Sequence, residues 1–231
     1  MLGVLRAAFG DWTRIYDFTR PGSLAGTYRR RRLELFARLL ASVPRPLRLL
    51  DVGGKSGFWD RSGMDFEGVR FVILNLDGAD VDRGPYQHVV GDARDLRAFA
   101  DGEFDVVFSN SVIEHVGPWS DQMRMASAIR RVGRRYFIQT PNRRFPIEAH
   151  SLFPFWQYLP LELRARLLQS FRLGWLARMP DRASARELAA SIRLLSRGDM
   201  RALFPEARIW DERVLGLTKS IVAYAGFDEA G

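Results

Sequence analysis

Leu47-Arg48-Leu49-Leu50-Asp51-Val52-Gly53-Gly54-Lys55-Ser56-Gly57 is the stretch on which the fold turns. Its first half is a short apolar run of the kind that forms a buried strand. Its second half is a glycine turn opening toward a helix. Glycines there let the backbone bend sharply and let a ligand approach main-chain N–H groups. Outward from this point the pattern repeats. Val69 to Asp77 is a second apolar run, rich in β-branched residues, and Val89-Val90, Phe104 to Phe108 and Tyr136 to Thr140 come after it. Near-continuous apolar runs of this length suit parallel strands covered on both faces.

Helical patterning lies between and before these runs. Leu33, Leu35, Phe36, Leu39 and Leu40 recur near helical spacing until Pro44 and Pro46 stop them. Met125, Ala128, Ile129 and Val132 mark one side of a helix over 121–132. Near the end, 207–210 and 220–224 read as strands separated by Gly216, a final antiparallel pair. The expected fold is α/β: a Rossmann-like doubly wound sheet, mostly parallel, with a C-terminal antiparallel hairpin strand. Residues 143–198 break the rhythm with aromatics, prolines and arginines. They read as a helical insertion or lid before the last two strands, too long for a simple crossover. The expected division is an N-terminal helical segment, 1–46, and a main domain, 47–231.

Three nucleotide-type readings of the glycine loop compete. A Walker motif ending at Gly54-Lys55-Ser56 would need glycine where Leu49 stands, inside the strand. A dinucleotide fingerprint would need a glycine where Lys55 stands. The third reading draws on residues C-terminal to the loop. Asp77 ends the second apolar run about twenty residues on, where an acid can accept hydrogen bonds from a ribose diol. Gly91-Asp92-Ala93 closes the third, where a carboxylate can take an adenine amino group. The fourth ends at Ser109-Asn110, small polar residues beneath a ligand. Each acid alone is equally at home as a helix cap or turn residue; their order and spacing favour a common site.

The series Leu50-Asp51-Val52-Gly53-Gly54, Gly91-Asp92-Ala93 and Phe104 to Val116 resembles the class I S-adenosylmethionine (SAM)-dependent methyltransferases. Within them it is most similar to the broad group containing ubiquinone and menaquinone C-methyltransferases, in which a Leu/Ile-Glu-His-Val stretch comes after a strand, here Ile113-Glu114-His115-Val116. The resemblance covers residues 47–142. It implies SAM as cofactor, with Asp51, Gly53, Gly54 and Gly57 on the methionine loop, Asp77 on the ribose, Asp92 with Ala93 at the adenine, and Asn110 near the methionine end. Lys55 departs from the pattern, where glycine is frequent; its side chain either points away or alters the carboxylate site.

Candidate catalytic residues are His115, which either shapes the transfer site or orders its loop with Glu114, and Glu148 and His150. The latter two come after the fifth strand, where such folds place the acceptor. The expected activity is methyl transfer to a small-molecule, lipid-like or saccharide acceptor. A SAM-binding or degenerate scaffold without catalysis is the alternative.

The whole chain of 231 residues limits the partners. There is no cysteine, and the three histidines are widely spaced, so no metal site is expected. The net charge of +8 comes almost wholly from arginine, Lys55 and Lys219 being the only lysines. Basic residues are spread along the chain and no Asn/Asp-Pro-Pro-Tyr type motif comes after the fourth strand, which argues against nucleic acid. Leucines and arginines over 161–179 could form a basic amphipathic helix packed on its own domain or lying on a membrane surface. No apolar run approaches the roughly 20 residues of a membrane span, and Met1 to Gly10 lacks a signal-peptide pattern, so a cytoplasmic, optionally membrane-associated, protein is expected.

Overall fold

The computed structural model describes residues 24–78 and 81–228; of the expected N-terminal segment 1–46, residues 1–23 lie outside the described residues. Helix α1 (Leu24–Ala41) ends just before Pro44, as its prolines require. The sequence then alternates as expected: β1 (Leu47–Val52), α2 (Ser56–Asp60), β2 (Val69–Asn75), β3 (Tyr86–Val90), β4 (Val106–Asn110), a 3₁₀ turn at Ile113–His115, α3 (Trp119–Val132) and β5 (Tyr136–Pro141). After α4 (Leu161–Ser170), α5 (Arg182–Ala190) and α6 (Arg197–Leu203) come β6 (Arg208–Val214) and β7 (Leu217–Ala225).

The seven strands form one sheet in the order β3-β2-β1-β4-β5-β7-β6. Strands β1 to β5 pair in parallel. Strand β7 is antiparallel to both β5 and β6 and lies between them, although it comes later in the chain than β6. This is the Rossmann-like sheet with its reversed C-terminal hairpin. The order reverses direction at β1, so that β1 and β4 flank a topological switch point, where crevices form outside the strand ends.

The chain makes two compact units. The larger holds Phe36–Arg144 and residues 191–228, and its core obeys strand alternation. On one face Leu50, Val52, Val107 and Ile138 meet Met125, Ile129 and Val132 of α3, Met200 of α6 and Phe204 just after it. On the other, Phe36 of α1 stands 4.9 Å from Phe108 and 5.1 Å from Phe137, ring centre to ring centre. Trp59 stands 4.7 Å from Phe108 and 5.1 Å from Phe71. Tilted and edge contacts of this kind contribute about 0.5–1.5 kcal/mol each beyond the burial itself.

The smaller unit joins residues 24–35 to Phe145–Ala190. Here α4 buries Ala165 and Leu168, and α5 buries Ala185 and Ala189, small residues that let two helices approach. Arg164 Nη1 donates to the carbonyl of Ala189, 2.9 Å away. The leucine-arginine pattern over 161–179 is helical only to Ser170. Beyond it Leu173 and Leu176 bridge one another and are buried in a turn around Gly174, whose φ is +53°. No helix among the described residues is long and apolar enough to cross a membrane.

Candidate functional site

The glycine loop after β1 is pinned by its neighbour strand. The Gly53 N–H donates to the Leu74 carbonyl at 2.7 Å, and Asn75 Nδ2 donates to the Gly54 carbonyl at 2.6 Å. Gly53 adopts φ +76°, and a side chain there would also strike Val112, so only glycine fits. Outside the strand ends opens a cleft of about 410 Å³. Its walls come from four successive strand ends: Gly53 after β1, Asp77 after β2, Gly91 to Arg94 after β3, and Ser111, Val112 and His115 after β4.

Of the residues expected at a cofactor, Gly53, Asp77, Asp92 and Ala93 are thus brought together, and His115 joins them. Asp77 lies two residues beyond the observed end of β2 and is exposed. Asp92 accepts from the Arg94 backbone N–H at 2.8 Å and from Arg94 Nε at 2.9 Å. The Arg94 guanidinium holds the Asp92 carboxyl below its usual range, against a smaller upward effect of partial burial.

Asp51, Gly54, Gly57 and Asn110 do not line the cleft. Asp51 faces the aromatic side of the sheet, 1% exposed, and accepts from Trp59 Nε1 at 2.7 Å. Burial pushes its carboxyl up to about 7, only partly offset by the Trp59 hydrogen bond. The carboxyl lies directly under Gly54: a Cβ there would be 1.6 Å from Oδ2. Its place is beneath the loop, not on the ligand side. Gly57 sits in α2 facing the end of Arg61. Asn110 ends β4, and its Oδ1 is buried with no hydrogen-bond partner among the described residues, an acceptor left open at the expected methionine end. Lys55 is exposed at the start of α2 and does not line the cleft.

Glu114 is fully buried and accepts from Thr140 Oγ1 at 3.0 Å, while its carbonyl accepts from the Arg193 N–H at 2.8 Å. It anchors the 3₁₀ turn that presents His115. Glu148 and His150 belong to the smaller unit. Glu148 Oε1 lies 2.6 Å from His150 Nδ1 and accepts the His150 N–H at 3.0 Å, and Oε2 accepts the Ser151 N–H at 2.6 Å. Burial works against its charge, but these contacts prevail and hold the carboxyl below the ordinary range.

Among the lining residues that the sequence does not single out are Ser111, Val112 and Arg94. Ser111 has φ +57°, unusual for a residue with a side chain, and its Oγ donates to Gln139 Oε1 at 2.9 Å. Nothing in the sequence announces that backbone. Val112 packs over Gly53. For Arg94 a signal exists: Asp-x-Arg occurs twice running, as Asp92/Arg94 and Asp95/Arg97, and both pairs close.

Residues 24–183 match the family model described as "Methyltransferase domain". No curated protein matches the chain. Among solved structures, the CurJ carbon methyltransferase is 12% identical with a TM-score of 0.58, over 92% of this chain and 57% of its own. A SAM-dependent methyltransferase from Aquifex aeolicus is 10% identical with a TM-score of 0.51, over 92% of this chain and 96% of its own. At such identities the likeness speaks for the fold.

Proposed function

The chain belongs to the methyltransferase-domain family, and on that premise we propose that it binds SAM in the cleft over β1 to β4 and transfers the methyl group to a small-molecule, lipid-like or saccharide acceptor. The observation that carries this reading is the convergence of Gly53, Asp77, Asp92 and Ala93 on one cleft at the switch point. The donor set suits the cofactor. Asp77 offers a carboxylate to a ribose diol, and Asp92 offers one to an adenine amino group. Asn110, whose buried Oδ1 has no partner among the described residues and whose neighbour Ser111 lines the cleft, is proposed to lie near the methionine part.

When bound, SAM supplies a methyl already activated by its sulfonium charge. What the protein adds is alignment and exclusion of water. Gly53 and Val112 shape the floor, and His115, exposed at the cleft, is the group placed to orient an acceptor or hold its proton. Glu148 and His150 are proposed as acceptor-orienting groups. The smaller unit exposes Phe155, Tyr158, Leu163, Phe171 and Trp175 together with Arg166, Arg172 and Arg178, a composition that suits a lipid-like acceptor or an anionic membrane surface.

Titration calorimetry with SAM tests the site. Asp92→Ala and Asp77→Ala should each weaken binding about 10- to 100-fold, as expected for lost hydrogen bonds to a charged group. Unchanged tight binding in both would remove the site from this cleft. Labelled SAM incubated with fractionated lysate then asks whether label enters lipid, saccharide or other small molecules.

A further inference from the structure

Asp92 is not a solitary acid. Arg94 Nε lies 2.9 Å from Oδ1 and 3.0 Å from Oδ2, and Nη2 lies 2.5 Å from Oδ2, a forked pair that fixes the plane of the carboxylate. The third guanidinium nitrogen, Nη1, donates to Asp121 Oδ2 at 2.8 Å and reaches the Val116 carbonyl at 3.5 Å. Val116 and Asp92 line the same cleft from different strand ends, so Arg94 ties two walls together. Arg124 holds the other oxygen of Asp121 at 2.7 Å. The neighbouring Asp95/Arg97 pair makes the same fork, but neither residue lines the cleft.

We propose that Arg94 is a positioning residue that sets the ligand selectivity of the cleft, orienting the Asp92 carboxylate as an acceptor so that a purine with a 6-amino group is taken and a 6-oxo purine is refused. This rests on the SAM reading above. An ionised carboxylate can only accept hydrogen bonds, and a donor-bearing fork on one side leaves lone pairs for a donor on the other. A 6-amino group supplies that donor. A 6-oxo group sets oxygen against oxygen, an unpaired desolvated contact of the kind that gives strong discrimination. Without Arg94 the carboxylate is free to rotate: its lone pairs are no longer held toward the 6-position, and it can turn an oxygen to the N1–H of a 6-oxo purine instead.

The test uses the full chain and two probes that undergo no turnover, S-adenosylhomocysteine and S-inosylhomocysteine, titrated calorimetrically. The unaltered chain should prefer the adenosyl compound at least tenfold. Arg94→Met should narrow that ratio below threefold. Arg94→Lys should fall between, since an ammonium keeps the charge but not the fork. Arg97→Met should keep the original ratio. The proposal is overturned if Arg94→Met keeps the ratio, if Arg97→Met narrows it equally, or if the unaltered chain binds both compounds alike. Should Arg94→Met not fold by circular dichroism, Asp121→Ala decides, because it removes the acceptor of Nη1 and frees the guanidinium at the end away from Asp92: a narrowed ratio supports the proposal and an unchanged one overturns it. Failure of the unaltered chain to bind S-adenosylhomocysteine would overturn the SAM reading itself, a separate result.

Discussion

At Gly54 the space for a side chain is already filled by the carboxyl of Asp51, whereas at Gly57 the nearest neighbour is Arg61 Nη1, 3.0 Å from the would-be Cβ. One neighbour is buried and hydrogen-bonded; the other is the end of a flexible side chain. Gly54→Ala should therefore push the loop out of register and weaken SAM binding at least tenfold. Gly57→Ala should leave affinity within threefold and add up to about 1 kcal/mol of stability, as alanine for glycine in a helix does. Calorimetry and thermal melting of the two variants check this, and equal losses in both would refute it. The glycine cluster itself was legible at this scale, as were Asp77 and Asp92. The orientation of Asp51 was not placed, although alternation along β1 puts residues 49 and 51 on one face and 50 and 52 on the other. What hid it was the expectation that an acid beside a glycine loop faces the ligand.

The segment after β5 shows how a polar pair can also order the element that carries it. Glu148 receives the N–H groups of His150 and Ser151, its own carbonyl accepts the Leu152 N–H, and the His150 carbonyl accepts the Trp175 N–H. Glu148→Gln replaces an acceptor by a donor beside the Ser151 N–H and should cost roughly 2 kcal/mol at neutral pH. Thermal melting should register the loss, and amide exchange should quicken over 147–156 rather than over β1 to β4. Exchange unchanged in that segment would mean the pair does not order it. A side chain that bonds its own backbone two or three residues on leaves no periodicity in the sequence, which is why Glu148 and His150 read there only as candidate acid-base groups. Helix α4 teaches the same lesson. Its leucines continue past Ser170 at near-helical spacing, yet the chain turns at Gly174, where a Cβ would meet the His150 carbonyl at 2.6 Å.

For the whole molecule, the raised carboxyl of Asp51 makes stability a function of pH. The folded chain favours the neutral acid up to about 7, while the unfolded chain ionises it near the ordinary aspartate value of 3.8. Between those values the folded state holds the extra proton, so stability falls as pH rises through this window and levels above it. Asp51→Asn, which keeps a hydrogen-bond acceptor for Trp59, should remove that slope. Urea midpoints at pH 5 and pH 8 should drop in the unaltered chain relative to the variant; parallel behaviour would rule the effect out. Strand count and the parallel run were legible because each apolar run is bounded by glycine, proline or polar residues. The division into units was less so, since α1 runs through Leu35 without any change of composition to mark a boundary.

The placement of β7 inside the sheet has a consequence for synthesis. A ribosome delivers β6 before β7, yet among the described residues β6 pairs with the sheet only through β7. Until residues 217–225 have emerged, β6 has no partner and the flank of β5 stands open, an exposed strand edge of the kind that other chains can join. The nascent polypeptide thus carries a parallel half-sheet with a vulnerable margin until its last strand inserts, and that single late event seals it.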